Sequence, residues 1–310
     1  MKARAPGKLV ISGAYAVLRG APAVVTAVDR YVIADDGLVA NFETPEVEAA
    51  LRLLGIAGPH PWFSADALRQ DGRKLGLGSS AAICAASVAL LHTRALPSLP
   101  PDLNSRLGQS IYELTLSAHR AAQGGGSGVD VAAACFGGTL EARLDQADGK
   151  FQLQVSPVTL PKDLVIETWS APLSATTADF VRRVFALERS AEATFTDLLG
   201  AQIEASRAAH AALLQGSSAH FVAALRRQLS ALEALGDAAQ VTIVLPEHRP
   251  LCDSVKEGAC FLPSGAGGGD VMLHVSTAPS DRSFRQQAEA LGLHLIPLHI
   301  GAQGVHILPD

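Results

Sequence analysis

The chain has 310 residues, enough for one large domain or two modest ones. Hydrophobic residues make up 48% and charged residues 18%, a balance that fits a well-buried α/β enzyme and excludes an intrinsically disordered chain. The formal net charge of −5 gives a nucleic-acid role no electrostatic support, so an anionic ligand has to be held by a local basic cluster.

In chain order, residues 8–12 and 23–34 predict strands around the turn Arg19-Gly20-Ala21-Pro22. Residues 46–54 predict a short helix ended by Gly55, and 79–96 a buried one. A helix over 103–122 has Leu107, Ile111, Leu114 and Ala118 at helical spacing. Asp130 opens a small-residue helix closed by Gly137-Gly138, and strands follow near 139–144, 151–158 and 164–168. Beyond Trp169 the texture becomes helical over 177–192, 195–214 and 218–235. Then come a strand at 241–244, a helix over 246–257, a strand from Val271 to Val275, a helix over 280–291, and strands near 294–299 and 304–308. There is no internal repeat, and a domain boundary is expected near 155–175.

Cys84, Cys135, Cys252 and Cys260 form no Cys-x-x-Cys motif and read as buried thiols suited to a reducing cytoplasm. Pro6, Gly7 and Lys8 interrupt the first apolar run, so no signal peptide is expected, and no uncharged stretch is long enough to span a bilayer. The ten histidines show no metal-binding spacing.

The chemistry is concentrated in the glycine-rich stretches. Lys74-Leu75-Gly76-Leu77-Gly78-Ser79-Ser80-Ala81-Ala82 puts two glycines and two hydroxyls at the start of a buried helix. Glycine lets the backbone approach a phosphate, and the free N–H groups and dipole of a helix start favour negative charge. The spacing is not the Gly-x-x-x-x-Gly-Lys-Ser/Thr pattern, and a tight turn with an N-cap would use the same residues without any ligand. Gly124-Gly125-Gly126-Ser127-Gly128 leads into a second helix start, and Ser264-Gly265-Ala266-Gly267-Gly268-Gly269-Asp270 into a strand. Ala5-Pro6-Gly7-Lys8-Leu9-Val10-Ile11-Ser12-Gly13 stands at the N-terminus.

Together, in this order, these stretches resemble the motifs of the GHMP kinases. Within that superfamily the resemblance is strongest to the phosphomevalonate kinases. It rests on the Lys74 lead-in, on His119-Arg120-Ala121-Ala122-Gln123-Gly124, on Trp169 to Thr176 and on Pro263 to Asp270. The resemblance implies an α+β fold with a ribosomal protein S5 domain 2-like N-terminal domain (1–160), a ferredoxin-like C-terminal domain (161–310) and a ligand cleft between them. It implies ATP and Mg2+ as cofactors and a small phosphorylated acceptor, with no nucleic-acid or membrane partner; oligomeric state is left open between monomer and homodimer.

Site residues follow from the resemblance. Lys8 and Asp130 would be catalytic. Lys74, Gly76, Leu77, Gly78, Ser79, Ser80 and Ala81 would hold the nucleotide phosphates, with Ser79 or Ser80 on the metal. Ser12, Tyr15, His119, Arg120, Gln123, Ser127, Gly128, Ser174, Thr176, Arg182, Gly267 and Gly268 would line the acceptor side. Arg183 is a further candidate for the acceptor's own phosphate, because arginine binds oxyanions bidentately. Taken alone, Lys74 also reads as a solvated loop lysine, Asp130 as a first-turn helix acid, and Arg182 and Arg183 as a solvated helix face.

The sequence departs from the family at three places. Ala14 stands where similar kinases have Glu, removing a carboxylate expected near Lys8; Leu262 replaces a frequent Lys; and residues 29–74 are short. The leading expectation is ATP-dependent conversion of 5-phosphomevalonate to 5-diphosphomevalonate. The alternatives are a GHMP kinase for a hydroxyl acceptor such as mevalonate or a sugar, a decarboxylase-like relative, and a nucleotide-binding regulator without catalysis.

Overall fold

The computed structural model describes residues 1–95, 106–147, 150–171 and 177–309. In chain order the elements are β1 (Lys2–Ser12), β2 (Ala23–Asp35), α1 (Pro45–Leu54), β3 (Trp62–Ser64), β4 (Arg69–Gln70), β5 (Arg73–Lys74), α2 (Ser79–Ala95), α3 (Arg106–Gln123) and α4 (Val129–Phe136). They continue with β6 (Thr139–Ala147), β7 (Lys150–Pro157), β8 (Val165–Ser170), α5 (Thr177–Ser190), α6 (Glu192–Leu214), α7 (Ser218–Ala239), α8 (Arg249–Ser254), β9 (Cys260–Pro263), β10 (Val271–Ser276), α9 (Arg282–Ala290), β11 (His294–Ile296) and β12 (His306–Leu308). The mixture is α+β, as expected. No helix among the described residues is long and apolar enough to cross a membrane.

The chain forms two compact units. The first comprises Met1–Leu9, Val25–Leu140 and His299–Asp310. Its strands β12, β1 and β2 lie in that order, with β3 also paired to β2. The β1–β12 pairing is antiparallel and sets Lys2 opposite Leu308 and Arg4 opposite His306. Helices α1 to α4 pack against one another. Helix α2 is apolar nearly all round: Ala81, Ala82, Cys84, Ala85, Ala86, Val88, Leu90 and Leu91 are all buried. A helix with that pattern belongs in a core, and its alanines let neighbouring helices approach closely. Helix α1 is fixed by its ends. The Thr44 hydroxyl accepts the Val47 N–H at 3.3 Å, Pro45 opens the first turn, and Gly55 closes the last turn in the left-handed region.

The second unit comprises Val10–Val24 and Glu141–Leu298. A four-stranded antiparallel sheet in the order β11-β8-β10-β9 is its centre. Trp169 on β8 is fully buried, and its ring meets Phe284 of α9 edge-on at 5.8 Å. Helices α5, α6 and α7 pack together in this unit.

Three sequence expectations are corrected. Residues 241–244 form no strand, because the Val241 N–H turns back to the Gly236 carbonyl and the Ile243 N–H to the Val241 carbonyl. This apolar run is buried by packing alone, and a short apolar run does not distinguish those outcomes. The helix expected over 246–257 contracts to α8, because Val255 leaves it in an extended conformation. The strand expected over 294–299 stops at Ile296, just before Pro297, which has no N–H to donate. Strand β9 and the short β3, β4 and β5 were not anticipated.

Candidate active site

In the first unit, β1 presses directly on the first glycine loop. The Lys8 N–H donates to the Leu77 carbonyl at 2.8 Å. A Cβ on Gly7 would lie 2.9 Å from that same carbonyl oxygen, so only glycine lets the strand come this close. Gly76 and Gly78 both sit at positive φ, 68° and 76°. Leu77 between them is buried and anchors the loop. The half-buried Lys8 side chain crosses the loop, and its Nζ donates to the Gly76 carbonyl at 3.3 Å. Lys74, at the end of β5, is exposed.

Helix α2 begins immediately after this loop, and the Gly78 carbonyl accepts the Ala82 N–H. The N–H groups of Ser79, Ser80 and Ala81 therefore lie in a first turn that supplies no intrahelical acceptor for them, the arrangement that receives anions. The Ser80 hydroxyl donates to the carboxylate of Glu46 on α1. Gln123, the last residue of α3, donates to Glu46 Oε1 at 2.7 Å and also reaches Ser80 Oγ at 3.3 Å. Burial pushes the Glu46 carboxyl up, but the hydrogen bonds from Ser80, its own backbone and Gln123 outweigh it and hold the group below the ordinary glutamate range.

The second glycine loop is held by α3. The Arg120 guanidinium donates to the carbonyls of Gly126 and Ser127, both at 3.3 Å. Gly124, Gly125, Gly126 and Gly128 all have positive φ. Asp130 follows in the first turn of α4; its Oδ1 accepts the Val131 N–H at 2.9 Å, and its Oδ2 lies 3.8 Å from His119 Nε2.

In the second unit, the third glycine stretch is tied to the residues that follow Lys8. The Val10 N–H donates to Ser264 Oγ at 3.0 Å, and that hydroxyl donates to the Val10 carbonyl at 3.1 Å. The Tyr15 hydroxyl donates to the Ala266 carbonyl at 2.7 Å, and burial pushes its pKa far up. The Gly268 N–H meets the Ile243 carbonyl, and the same carbonyl occupies the place where Gly267 would carry a Cβ. The Ser12 hydroxyl is buried and has no hydrogen-bond partner among the described residues. Arg182 is exposed and paired with Asp179 one turn earlier, while Arg183 donates to the Gln240 carbonyl. Ser174 and Thr176 lie outside the described residues.

Within the first unit, therefore, the structure brings Lys8 to Gly76–Gly78, Ser80 to Gln123, and His119 to Asp130. Glu46 is the residue that sequence reasoning missed. It follows Thr44-Pro45, where an acid reads as ordinary first-turn helix stabilisation; only its burial beside Ser80 sets it apart. The Lys8 chain lies over the bare backbone of Gly78, and the Ser80 hydroxyl lies at the adjoining helix start. Oxygen donors of this type suit Mg2+, which takes few protein ligands and shares the rest with phosphates and water. The residues present therefore fit a magnesium nucleotide.

Residues 72–138, which hold both loops of this unit, match the family described as "GHMP kinases N terminal domain". The chain is a phosphotransferase similar to the GHMP kinases. It is 28% identical to a phosphomevalonate kinase of Streptomyces sp. (strain CL190), over 97% of each chain. Its fold matches a Streptococcus pneumoniae phosphomevalonate kinase solved in complex with phosphomevalonate and AMPPNP. The TM-score is 0.77 at 20% identity, covering 97% of this chain and 99% of the other. A Lin0012 protein from Listeria innocua matches at TM-score 0.81 and 22% identity, over the whole of both chains. The chain accordingly shares its fold with these proteins along nearly its whole length.

Proposed function

We propose that the protein transfers the γ-phosphoryl group of ATP to 5-phosphomevalonate, giving 5-diphosphomevalonate and ADP. The observation that carries this reading is the 28% identity to a phosphomevalonate kinase, sustained over 97% of both chains. The loop geometry supports it. Gly76 to Ala81 offer backbone N–H groups and a helix start to the nucleotide phosphates, and Lys8 brings a cation across that loop. Magnesium, when bound with the nucleotide, would neutralise phosphate charge, with Ser79 or Ser80 as its protein oxygen.

A phosphate monoester has a second pKa of about 6 and is mostly dianionic at neutral pH, so its attacking oxygen carries no proton to remove. The difficulty is electrostatic. Two unit negative charges 4 Å apart repel by about 4 kcal/mol at an effective dielectric of 20. Lys8 acts between the two anions, and Asp130 orients the site instead of serving as its base. In the first unit, His119, Arg120, Gln123, Ser127 and Gly128 are the candidates for the acceptor side; in the second, Ser12, Tyr15, Gly267 and Gly268 are. Arg120, by holding the Gly126 and Ser127 carbonyls, fixes the loop that leads to Asp130. Arg182, exposed and paired with Asp179, supplies the acceptor clamp only after exchanging that partner.

The test is ADP release with Mg-ATP and a panel of mevalonate, 5-phosphomevalonate, 5-diphosphomevalonate and simple sugars. Turnover with 5-phosphomevalonate alone is expected. Turnover only with an unphosphorylated acceptor would replace the substrate and return Asp130 to a general-base role. Nucleotide binding without turnover on any acceptor would sink the reading.

A further inference from the structure

Three helices of the first unit converge on one carboxylate. Helix α1 supplies Glu46, α2 supplies Ser80, and α3 ends in Gln123, which bonds to both. A glutamate this buried is unusual without a task, because the charge loses its water. Here two side-chain donors meet the carboxylate, and one of them is a hydroxyl at the start of the phosphate-loop helix.

We propose that Glu46 is a positioning residue for the metal, acting through Ser80, and so selects Ser80 over Ser79 as the metal-binding hydroxyl; the inference rests on the kinase reading above. A serine hydroxyl has one hydrogen and two lone pairs. By taking the hydrogen, Glu46 fixes the rotor; Gln123 occupies one lone pair of the oxygen and the other is left for a cation. The bond is charge-assisted, so it also shifts electron density onto that oxygen and makes it a better donor to a hard cation. Gln123 donates to the same Oε1 and keeps it where Ser80 needs it. The carboxylate that similar kinases carry at position 14 is absent from this chain, and Glu46 brings a different one to the loop from a different element.

A purely structural tie between α1 and α2 predicts something else. Glu46→Gln keeps an oxygen that can accept the Ser80 hydrogen but removes the charge. If the role is structural, E46Q should behave as wild type. If the role is to prepare Ser80, E46Q should keep its melting temperature while weakening the cation site. Loss of an orienting partner of this kind typically weakens metal affinity about 10- to 100-fold.

The experiment is Mn2+ titration followed by electron paramagnetic resonance, with AMPPNP present, on wild type, E46Q, S80A, S79A and the doubles E46Q/S80A and E46Q/S79A. The expected result has three parts: Mn2+ binding weakened in E46Q, no further loss when E46Q is added to S80A, and additive behaviour with S79A. Unchanged Mn2+ affinity in E46Q, or full additivity with S80A, overturns the proposal while leaving the kinase reading intact. Failure of the wild type to bind Mn2+ with AMPPNP overturns both. Should E46Q fail to fold, Gln123→Ala removes one of the two side-chain donors to Glu46 and must weaken Mn2+ binding in the same direction.

Discussion

Lys8 lies across the face of Gly78 where any other residue would carry its Cβ. That atom would meet Lys8 Cγ at 2.9 Å and Cε at 3.0 Å. The lysine and the glycine loop are thus fitted to each other, and the backbone of Gly78, at φ 76°, independently requires glycine.

Gly78→Ala should therefore harm activity more than stability. The left-handed backbone costs roughly 1–2 kcal/mol with an L side chain. The new methyl also pushes the Lys8 chain off the loop, and a displacement of about 1 Å at a transfer site can cost on the order of 100-fold in rate. Thermal melting should show a folded protein with a lowered midpoint, and ADP release should fall about 100-fold. Wild-type turnover in G78A would contradict the fitted arrangement.

Lys8→Met and Asp130→Asn should rank in that order of severity. Asn keeps an oxygen to accept the Val131 N–H, so D130N should remain folded. With a dianionic acceptor there is no proton for Asp130 to remove, and its loss should lower kcat without moving the acid limb of the pH–rate profile, which follows the acceptor's own ionisation near a pKa of about 6. Steady-state kinetics from pH 5 to 8 on both variants checks this. A larger loss in D130N than in K8M would favour a proton-abstracting Asp130.

The four thiols should be silent in the native protein. All are free and buried. Burial raises Cys135 and Cys260 to about 12 and lifts Cys84 and Cys252 as well. The thiolate is the reactive form, so at pH 8 a disulfide reagent such as Ellman's should titrate no thiol within minutes, and four after denaturation. Rapid labelling of one native thiol would reveal local opening around it.

His248 should contribute to acid sensitivity. It is buried at 1% exposure, and that burial lowers its pKa against the opposing pull of Glu247. Unfolded histidine titrates near pH 6.5, so below that the unfolded chain binds a proton that the folded chain refuses. Stability is then lost as pH falls from about 6.5 toward the lower folded-state value. The carboxylates act at lower pH still. His248→Gln should flatten the fall in melting temperature between pH 7 and 5; an unaltered slope would place that sensitivity elsewhere.

What could be read from the sequence was local. Helix α1 was legible because its turn and stop signals sit within a few residues of it, and the glycine loops because their chemistry needs no distant partner. Glu46 was not legible: its partners Ser80 and Gln123 stand 34 and 77 residues away, and no local pattern announces that α1, α2 and α3 meet. Residues 241–244 failed for a related reason. Their apolar character predicted burial correctly, but whether such a run pairs as a strand depends on what lies beside it, and here its carbonyls and N–H groups are met by Gly236, Val241 and Gly268.

The pairing of β1 with β12 bears on how the protein is made. Leu308, opposite Lys2, is synthesised roughly 300 residues after it. At translation speeds of about 5–20 residues per second, this leaves β1 waiting on the order of 15 to 60 s for its neighbour. During that interval the strand that carries Lys8 has an unpaired edge, the kind of surface that seeks other chains. Slow synthesis or scarce chaperone capacity should therefore lower the yield of soluble enzyme, even for a sequence whose finished fold is fully stable.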